Sequence, residues 1–175
     1  GSGGREHAIC VSLKRSENTE NIYCFPGNAG TSFIAQNIQT DLNDFEELKR
    51  LIKKFSIDLV IVGPEKPLVD GLVDYLEKNK IKVFGPNKIA SQLEGSKIFT
   101  KKLCQKYNIP TANFGVFNSV LNANKFLSSS KMPIVVKADG LAAGKGVYIC
   151  EDYESAKNAI DEIFNGKFGV ANQVL

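Results

Sequence analysis

The sequence predicts an α/β protein: a parallel sheet with crossover helices over the first half, then a second region built round a Gly-rich hairpin. Three observations predict this. Short apolar or β-branched runs alternate with helical stretches between residues 21 and 84, an order that implies parallel pairing. Those runs end in loops of glycine, proline and small residues. Further on, Ile134-Val135-Val136 and Val147-Tyr148-Ile149 flank the loop KADGLAAGKG at 137–146, so strand, long loop, strand is expected there.

The chain has 175 residues, enough for one large domain or two small ones, and its 43% hydrophobic content is ordinary for a globular protein. No run approaches the length that spans a bilayer, and no signal-peptide pattern is present, so a cytoplasmic protein with no membrane partner is expected. The net charge is +3 and the lysines are scattered, which argues against a nucleic-acid partner. Cys10, Cys24, Cys104 and Cys150 include no C-x-x-C pair. They are expected as buried thiols of a reducing compartment, not as a disulfide or metal site.

In order, GSGGREHA at 1–8 is a Gly-rich turn leading into a helix from Ala8 to Lys14. Such a turn can bind an anion, because the first N–H groups of a helix are free and its dipole is positive there. His7, the only histidine, is expected to be structural. Asn21 to Phe25 reads as a strand, and Pro26-Gly27-Asn28-Ala29-Gly30-Thr31 as a small-residue turn. Phe45, Leu48, Leu51, Ile52 and Phe55 make one apolar stripe, which predicts a helix from Asp44 to Phe55. Asp58 to Val62 is a continuous apolar run, as a buried parallel strand should be, and it ends at Gly63-Pro64-Glu65. A helix from Leu68 to Asn79, a strand from Ile81 to Phe84 and the loop Gly85-Pro86-Asn87 follow. All these loops fall at the carboxyl edge of the sheet, where such folds bind ligands.

Around Ile89 to Leu93 the pattern changes, and a boundary near Leu93 to Ser96 divides the chain into domains 1–94 and 95–175. Ser96 is a good N-cap for a helix reaching Tyr107. Lys97 in its first turn opposes the dipole, which makes it either a ligand contact or a solvated lysine. Phe114 to Phe117 reads as a short strand, Ser119 to Ser129 as a helix, and Asp152 to Phe164 as a helix.

The hairpin loop carries the chemistry. Gly140, Gly144 and Gly146 let the backbone approach a ligand, and Lys137 and Lys145 add positive charge where phosphate oxygens would sit. It is not a P-loop: three residues separate Gly140 from Gly144-Lys145, Gly146 stands where Ser or Thr would be, and a strand follows instead of a helix. A Gly-rich hairpin folded over nucleotide phosphates fits better, as in kinase-like or ATP-grasp sites. The alternative is a mobile surface hairpin.

GSGGREHA (1–8), PGNAGT (26–31), VGPE-x-PL (62–68), FGP (84–86), QLEGSK-x-FTK (92–101) and KADGLAAGKGV (137–147) together resemble the phosphoribosylamine–glycine ligases, or glycinamide ribonucleotide synthetases. The resemblance covers the whole chain. It implies a Rossmann-like first domain and the first part of an ATP-grasp domain. It also implies a monomeric purine-biosynthesis enzyme that joins glycine to 5-phosphoribosylamine through a glycyl phosphate, using ATP with Mg2+ or Mn2+. ATP contacts are then expected at Lys97, Lys137, Gly140, Ala142, Ala143, Gly144, Lys145, Gly146 and Val147. Phosphoribosylamine contacts are expected at Gly3, Gly4, Arg5, Glu6, Gly27, Asn28, Gly63, Pro64 and Glu65. No catalytic residue is assigned.

The family has a strand before the position of Gly1. It also has a second ATP-grasp half after Leu175 that supplies the adenine hinge and the Glu and Asn metal ligands. The chain is therefore expected to be a fragment, inactive alone, with no metal ligand of its own. Three other functions remain in play: another ATP-grasp carboxylate–amine ligase, a non-catalytic nucleotide-binding module, and a dinucleotide oxidoreductase. The last lacks the acidic residue expected after its second strand, since Phe25 leads into Pro26-Gly27.

Overall fold

The computed structural model describes residues 1–142, 145–168 and 173–175. The chain divides into two compact units, Gly1–Ser91 and Gln92–Leu175.

The first unit begins with α1 (Gly4–Lys14), four residues earlier than its apolar content suggests. The Glu6 carboxylate accepts the Gly3 N–H at 2.6 Å, so the Gly-rich turn is drawn into the start of the helix. Strand β1 (Tyr23–Cys24) pairs in parallel with β2 (Gln36–Asn37), in the register Tyr23↔Gln36 and Cys24↔Asn37. A 3-10 turn at Thr31–Phe33 lies between them. Helix α2 (Phe45–Lys54) has Asp44 as its N-cap, accepting the Glu47 N–H at 2.9 Å, and it buries Leu48, Leu51 and Ile52. Acids in its first turn and lysines in its last complement the dipole.

Strand β3 (Val60–Ile61) pairs in parallel with β4 (Val83–Phe84). The single helix expected between them is two: α3 (Glu65–Asp70) and α4 (Leu72–Lys78), broken at Gly71, whose φ is +98°. Pro67 does not delay α3, because it occupies the first turn, where an N–H has no intrahelical partner to lose.

The parallel pairing expected from the element order is present, as two separate two-stranded pairs. Between β1 and β3 lies a cavity of about 580 Å³, lined by Ile9, Cys10, Phe25, Leu48, Val60 and Leu76 among others. Gly1 stands at its edge: its amino group donates to the Phe25 carbonyl, and its own carbonyl accepts the Gly27 N–H at 3.1 Å. That is the hydrogen-bond pattern of a parallel ladder.

Helix α5 (Lys88–Gly95), where the sequence shows only a change of pattern, runs through the point of division. In the second unit, α6 (Lys97–Lys106) starts at its Ser96 cap as expected. Phe114 to Phe117 is not a strand. Only Phe117 pairs, in an isolated antiparallel bridge to Val174. Helix α7 (Val120–Leu127) leads to β5 (Ile134–Lys137), which pairs antiparallel with β6 (Val147–Cys150); α8 (Tyr153–Phe164) follows. Strand alternation turns Val136 and Cys150 into a core with Leu127, Ala156, Ile160 and Ile163. The 173–175 segment joins this sheet, for Lys137 and Leu175 exchange N–H···O bonds of 2.8 and 2.9 Å.

All four thiols are free; Cys10, Cys24 and Cys150 are buried, while Cys104 is only half-buried. No described helix is long and apolar enough to cross a membrane.

The burial pattern makes a direct prediction. Ile163 is fully buried (0% exposed) and Leu121 on α7 is 78% exposed. In the full-length protein, Ile163→Ala should cost about 3 kcal/mol and Leu121→Ala less than about 0.5 kcal/mol in urea unfolding. Equal losses would contradict this core.

Candidate functional site

In the first unit, the loops after β1 and β3 meet the Gly-rich turn at the N-terminus of α1. Gly27 is tied to Gly1 by the hydrogen bond above. The Asn28 side-chain amide donates to the carbonyls of Ser2, at 2.9 Å, and Gly3, at 3.3 Å. The second loop arrives from β3. A Cβ on Gly63 would lie 2.5 Å from the Glu6 carboxylate, so the two are in close contact. Pro64 caps α3, and Glu65 at its first position pairs with Arg5 at 2.5 Å.

The Glu65 carboxyl is held below its usual range first by a backbone N–H at the head of α3 and then by the Arg5 guanidinium. The pair is largely exposed, with side-chain accessibilities of 69% for Arg5 and 34% for Glu65. It orients the two loops more than it stabilises them. Gly3, Gly4, Arg5, Glu6, Gly27, Asn28, Gly63, Pro64 and Glu65 therefore form one patch. It combines the first backbone N–H groups of a helix, a guanidinium and two carboxylates. His7 packs beside it, 3.4 Å from where a Cβ on Gly30 would be. The loop at Gly85-Pro86-Asn87 has local duties instead: Gly85 packs on Leu68 and Val73, and Asn87 accepts the Ala90 N–H at 2.8 Å to start α5.

In the second unit the loop after β5 meets the N-terminus of α6. Asp139 is the joint between them. Its carboxylate accepts the Ser96 hydroxyl, at 3.1 and 3.0 Å to its two oxygens, and the Ile98 N–H at 3.1 Å. It thereby puts a negative charge at the positive end of α6, which offsets the unfavourable Lys97 in the first turn. The Lys97 ammonium donates to the Gly140 carbonyl at 2.8 Å. Burial, the largest influence, pulls the Lys97 pKa below the ordinary 10.5; Asp139 opposes the shift and Lys137 adds to it. The Lys97 ammonium thus sits at the start of the Gly-rich loop, near enough to Lys137 at the end of β5 for the two charges to repel.

Gly140 has φ +92°, and among the described residues no atom lies within 4 Å of where a Cβ would stand. Ala142 accepts the Lys145 N–H at 2.8 Å, and Gly146 accepts the Ala138 N–H at 2.9 Å. Val147 pairs with Lys137 across the sheet. Ala143 and Gly144 lie outside the described residues.

The outward face of β5 and β6 carries Val135, Val147 and Ile149, which are 43%, 47% and 73% exposed. By strand alternation Lys137 shares that face. Asp139, Val135 and Ile149 were not singled out from the sequence. Asp139 acts on groups about forty positions earlier in the chain, and the exposure of Val135 and Ile149 depends on which face α7 and α8 cover. Among the described residues no group of three or more His, Cys, Asp or Glu could hold a metal ion.

The joint can be tested by stability. Asp139→Ala leaves the Ile98 N–H and Ser96 hydroxyl without their acceptor and should cost about 1–2 kcal/mol, whereas Asp139→Asn, which keeps an acceptor oxygen, should cost less. Urea unfolding of the full-length variants measures both, and an unaffected Asp139→Ala would refute the role.

Residues 1–94 match the family model described as phosphoribosylglycinamide synthetase, N domain, and residues 95–175 match the ATP-grasp (A) domain of the same synthetase. The phosphoribosylamine–glycine ligase of Caldanaerobacter subterraneus subsp. tengcongensis is 45% identical over 176 residues, covering 100% of this chain and 42% of that protein. The crystal structure of the phosphoribosylamine–glycine ligase from Thermotoga maritima superposes with a TM-score of 0.79 at 31% identity, covering 99% of this chain and 41% of that one. The biotin carboxylase domain of Hydrogenobacter thermophilus 2-oxoglutarate carboxylase shares the fold, with a TM-score of 0.73 at 18% identity over 99% of this chain and 42% of that one. The chain spans about two fifths of the length of the curated relatives it matches. With the two models matched in order from its first residue to its last, the chain belongs to the phosphoribosylglycinamide synthetase family.

Proposed function

We propose that the protein joins glycine to 5-phosphoribosylamine with cleavage of ATP, giving glycinamide ribonucleotide, ADP and phosphate in purine biosynthesis. The observation that carries this is the convergence of the loops after β1 and β3 on the Gly-rich turn and first helical residues 1–6, in a chain matched throughout to the family. The N domain, residues 1–94, takes the phosphoribosylamine through Gly3, Gly4, Arg5, Glu6, Gly27, Asn28, Gly63, Pro64 and Glu65. Backbone N–H groups and a guanidinium suit a phosphate, and carboxylates suit ribose hydroxyls and the amine.

The ATP-grasp part, residues 95–175, takes ATP. Lys97 and Lys137 meet the phosphates, and the loop carrying Gly140, Ala142, Ala143, Gly144, Lys145 and Gly146 covers them, with Val147 beside it. The half-buried Lys97 gives up the Gly140 carbonyl for a phosphate oxygen, a stronger partner because it is charged. The exposed apolar face of Val135, Val147 and Ile149 offers a flat surface to the base.

The reaction activates the glycine carboxylate as an acyl phosphate, which the ribosylamine nitrogen then attacks. Lys97 and Lys137 stabilise the charge that develops on the transferred group, and the loop excludes water. The family's Mg2+ or Mn2+ finds no cluster of three or more ligand groups among the described residues, so no ligand from them is assigned to it. We take the protein to be a cytoplasmic monomer acting on small molecules, without nucleic-acid or membrane partners. Its modest net charge of +3, spread over scattered lysines, fits the lack of a nucleic-acid partner.

The test is a double dissociation in the full-length protein. Arg5→Ala should raise the KM for phosphoribosylamine about tenfold and leave that for ATP unchanged. Lys137→Ala should weaken ATP binding about tenfold by calorimetry and leave the phosphoribosylamine KM unchanged. The reverse pairing of effects, or no effect from either change, would contradict the assignment.

A further inference from the structure

Within the turn, Ser2 and Gly3 are held by the Asn28 side chain, and Asn28 is itself held at every polar group. Its N–H donates to the Thr31 hydroxyl at 2.8 Å. Its side-chain oxygen accepts the Thr31 N–H at 2.9 Å, and its carbonyl accepts the Asn37 side-chain amide at 2.8 Å. With the oxygen so engaged, the Asn28 side-chain NH2 has only one way to face, toward the carbonyls of Ser2 and Gly3. Thr31 is completely buried (0% exposed), and its hydroxyl reaches the Asn37 side-chain oxygen at 2.8 Å. Asn37 in turn is fixed by the sheet, opposite Cys24 in the β1–β2 register. No slack remains in this arrangement. Gly27 has φ +83°, and a Cβ there would sit 2.1 Å from the Asn37 oxygen.

A rigid relay therefore runs from the parallel ladder through Asn37 and Thr31 to Asn28, and from Asn28 to the Gly-rich turn. We propose that Thr31 and Asn37 are positioning residues for the phosphoribosylamine site: they touch no substrate, and they set the orientation of Asn28 and through it the turn at Ser2-Gly3. This rests on the substrate assignment proposed above. The relay is invisible to a search for charged or glycine-rich motifs, because both residues are uncharged and one is wholly buried.

Thr31→Val keeps the side-chain shape and removes the hydroxyl, whereas Thr31→Ser keeps the hydroxyl. In the full-length protein, Thr31→Val should raise the KM for phosphoribosylamine about fivefold or more, while kcat and the KM for ATP stay within about twofold. Thr31→Ser should restore the KM. An unchanged phosphoribosylamine KM in Thr31→Val overturns the proposal. So does an equal rise in both KM values, which would mean general destabilisation.

Amide hydrogen exchange without substrate separates this proposal from the substrate assignment. Thr31→Val should speed exchange in segments 1–6 and 26–31 and leave segment 134–150 unchanged, and Thr31→Ser should not. If the wild type proves indifferent to phosphoribosylamine, the assignment of substrate fails, and the relay stands or falls on this exchange pattern. Unaltered exchange at 1–6 would overturn it.

Discussion

Parallel pairing is the constraint on which the first unit depends. Two parallel strands cannot be joined by a tight turn, so each crossover must climb back along its pair, and the two strands of each pair point the same way. The loops after β1 and β3 both reach the start of α1. Very short strands suffice for this, since β1, β2, β3 and β4 have two residues each. The ladder fixes Asn37 opposite Cys24, and the polar chain through Thr31 and Asn28 carries that precision out to the Gly-rich turn. Sheet register thus becomes site geometry without a charged residue in between.

The second unit solves a different problem. It must keep two lysines near each other, one partly withdrawn from water, in a place that suits a polyanion. Their mutual repulsion and the burial of Lys97 both disfavour the charged state, as the lowered pKa of Lys97 records. Asp139 makes the arrangement tolerable. Its carboxylate completes the N-terminus of α6 and leaves Lys97 hydrogen-bonded to the Gly140 carbonyl.

Much of this was legible in the sequence where one residue type has one physical use. The apolar stripe from Phe45 to Phe55 predicted α2, and the helix expected from Asp152 to Phe164 is α8; Asp44 and Asp152 prove to be their N-caps. The β-branched runs gave β5 and β6, and glycine and lysine content marked the loop between them. Strand β2 was hidden because Gln36-Asn37 is polar and pairs only through its backbone. Helix α5 was hidden because Ile89 and Leu93 are exposed, 73% and 51%, so no apolar stripe faces a core. The early start of α3 was masked by Pro67, which reads as a loop residue and is in fact at home in a first helical turn. In the candidate sites, the glycines, the lysines and Arg5 stood out by their chemistry. Asp139, Thr31 and Asn37 could not, because their roles consist of side-chain contacts that appear only after folding.

The central claim is that one protein couples the two sites in a single ligation. The most direct measurement is phosphate release from ATP by the full-length protein, with glycine and phosphoribosylamine omitted in turn. The account predicts release only when both are present. Release that ignores phosphoribosylamine, or ATP binding with no release in the complete mixture, would contradict it.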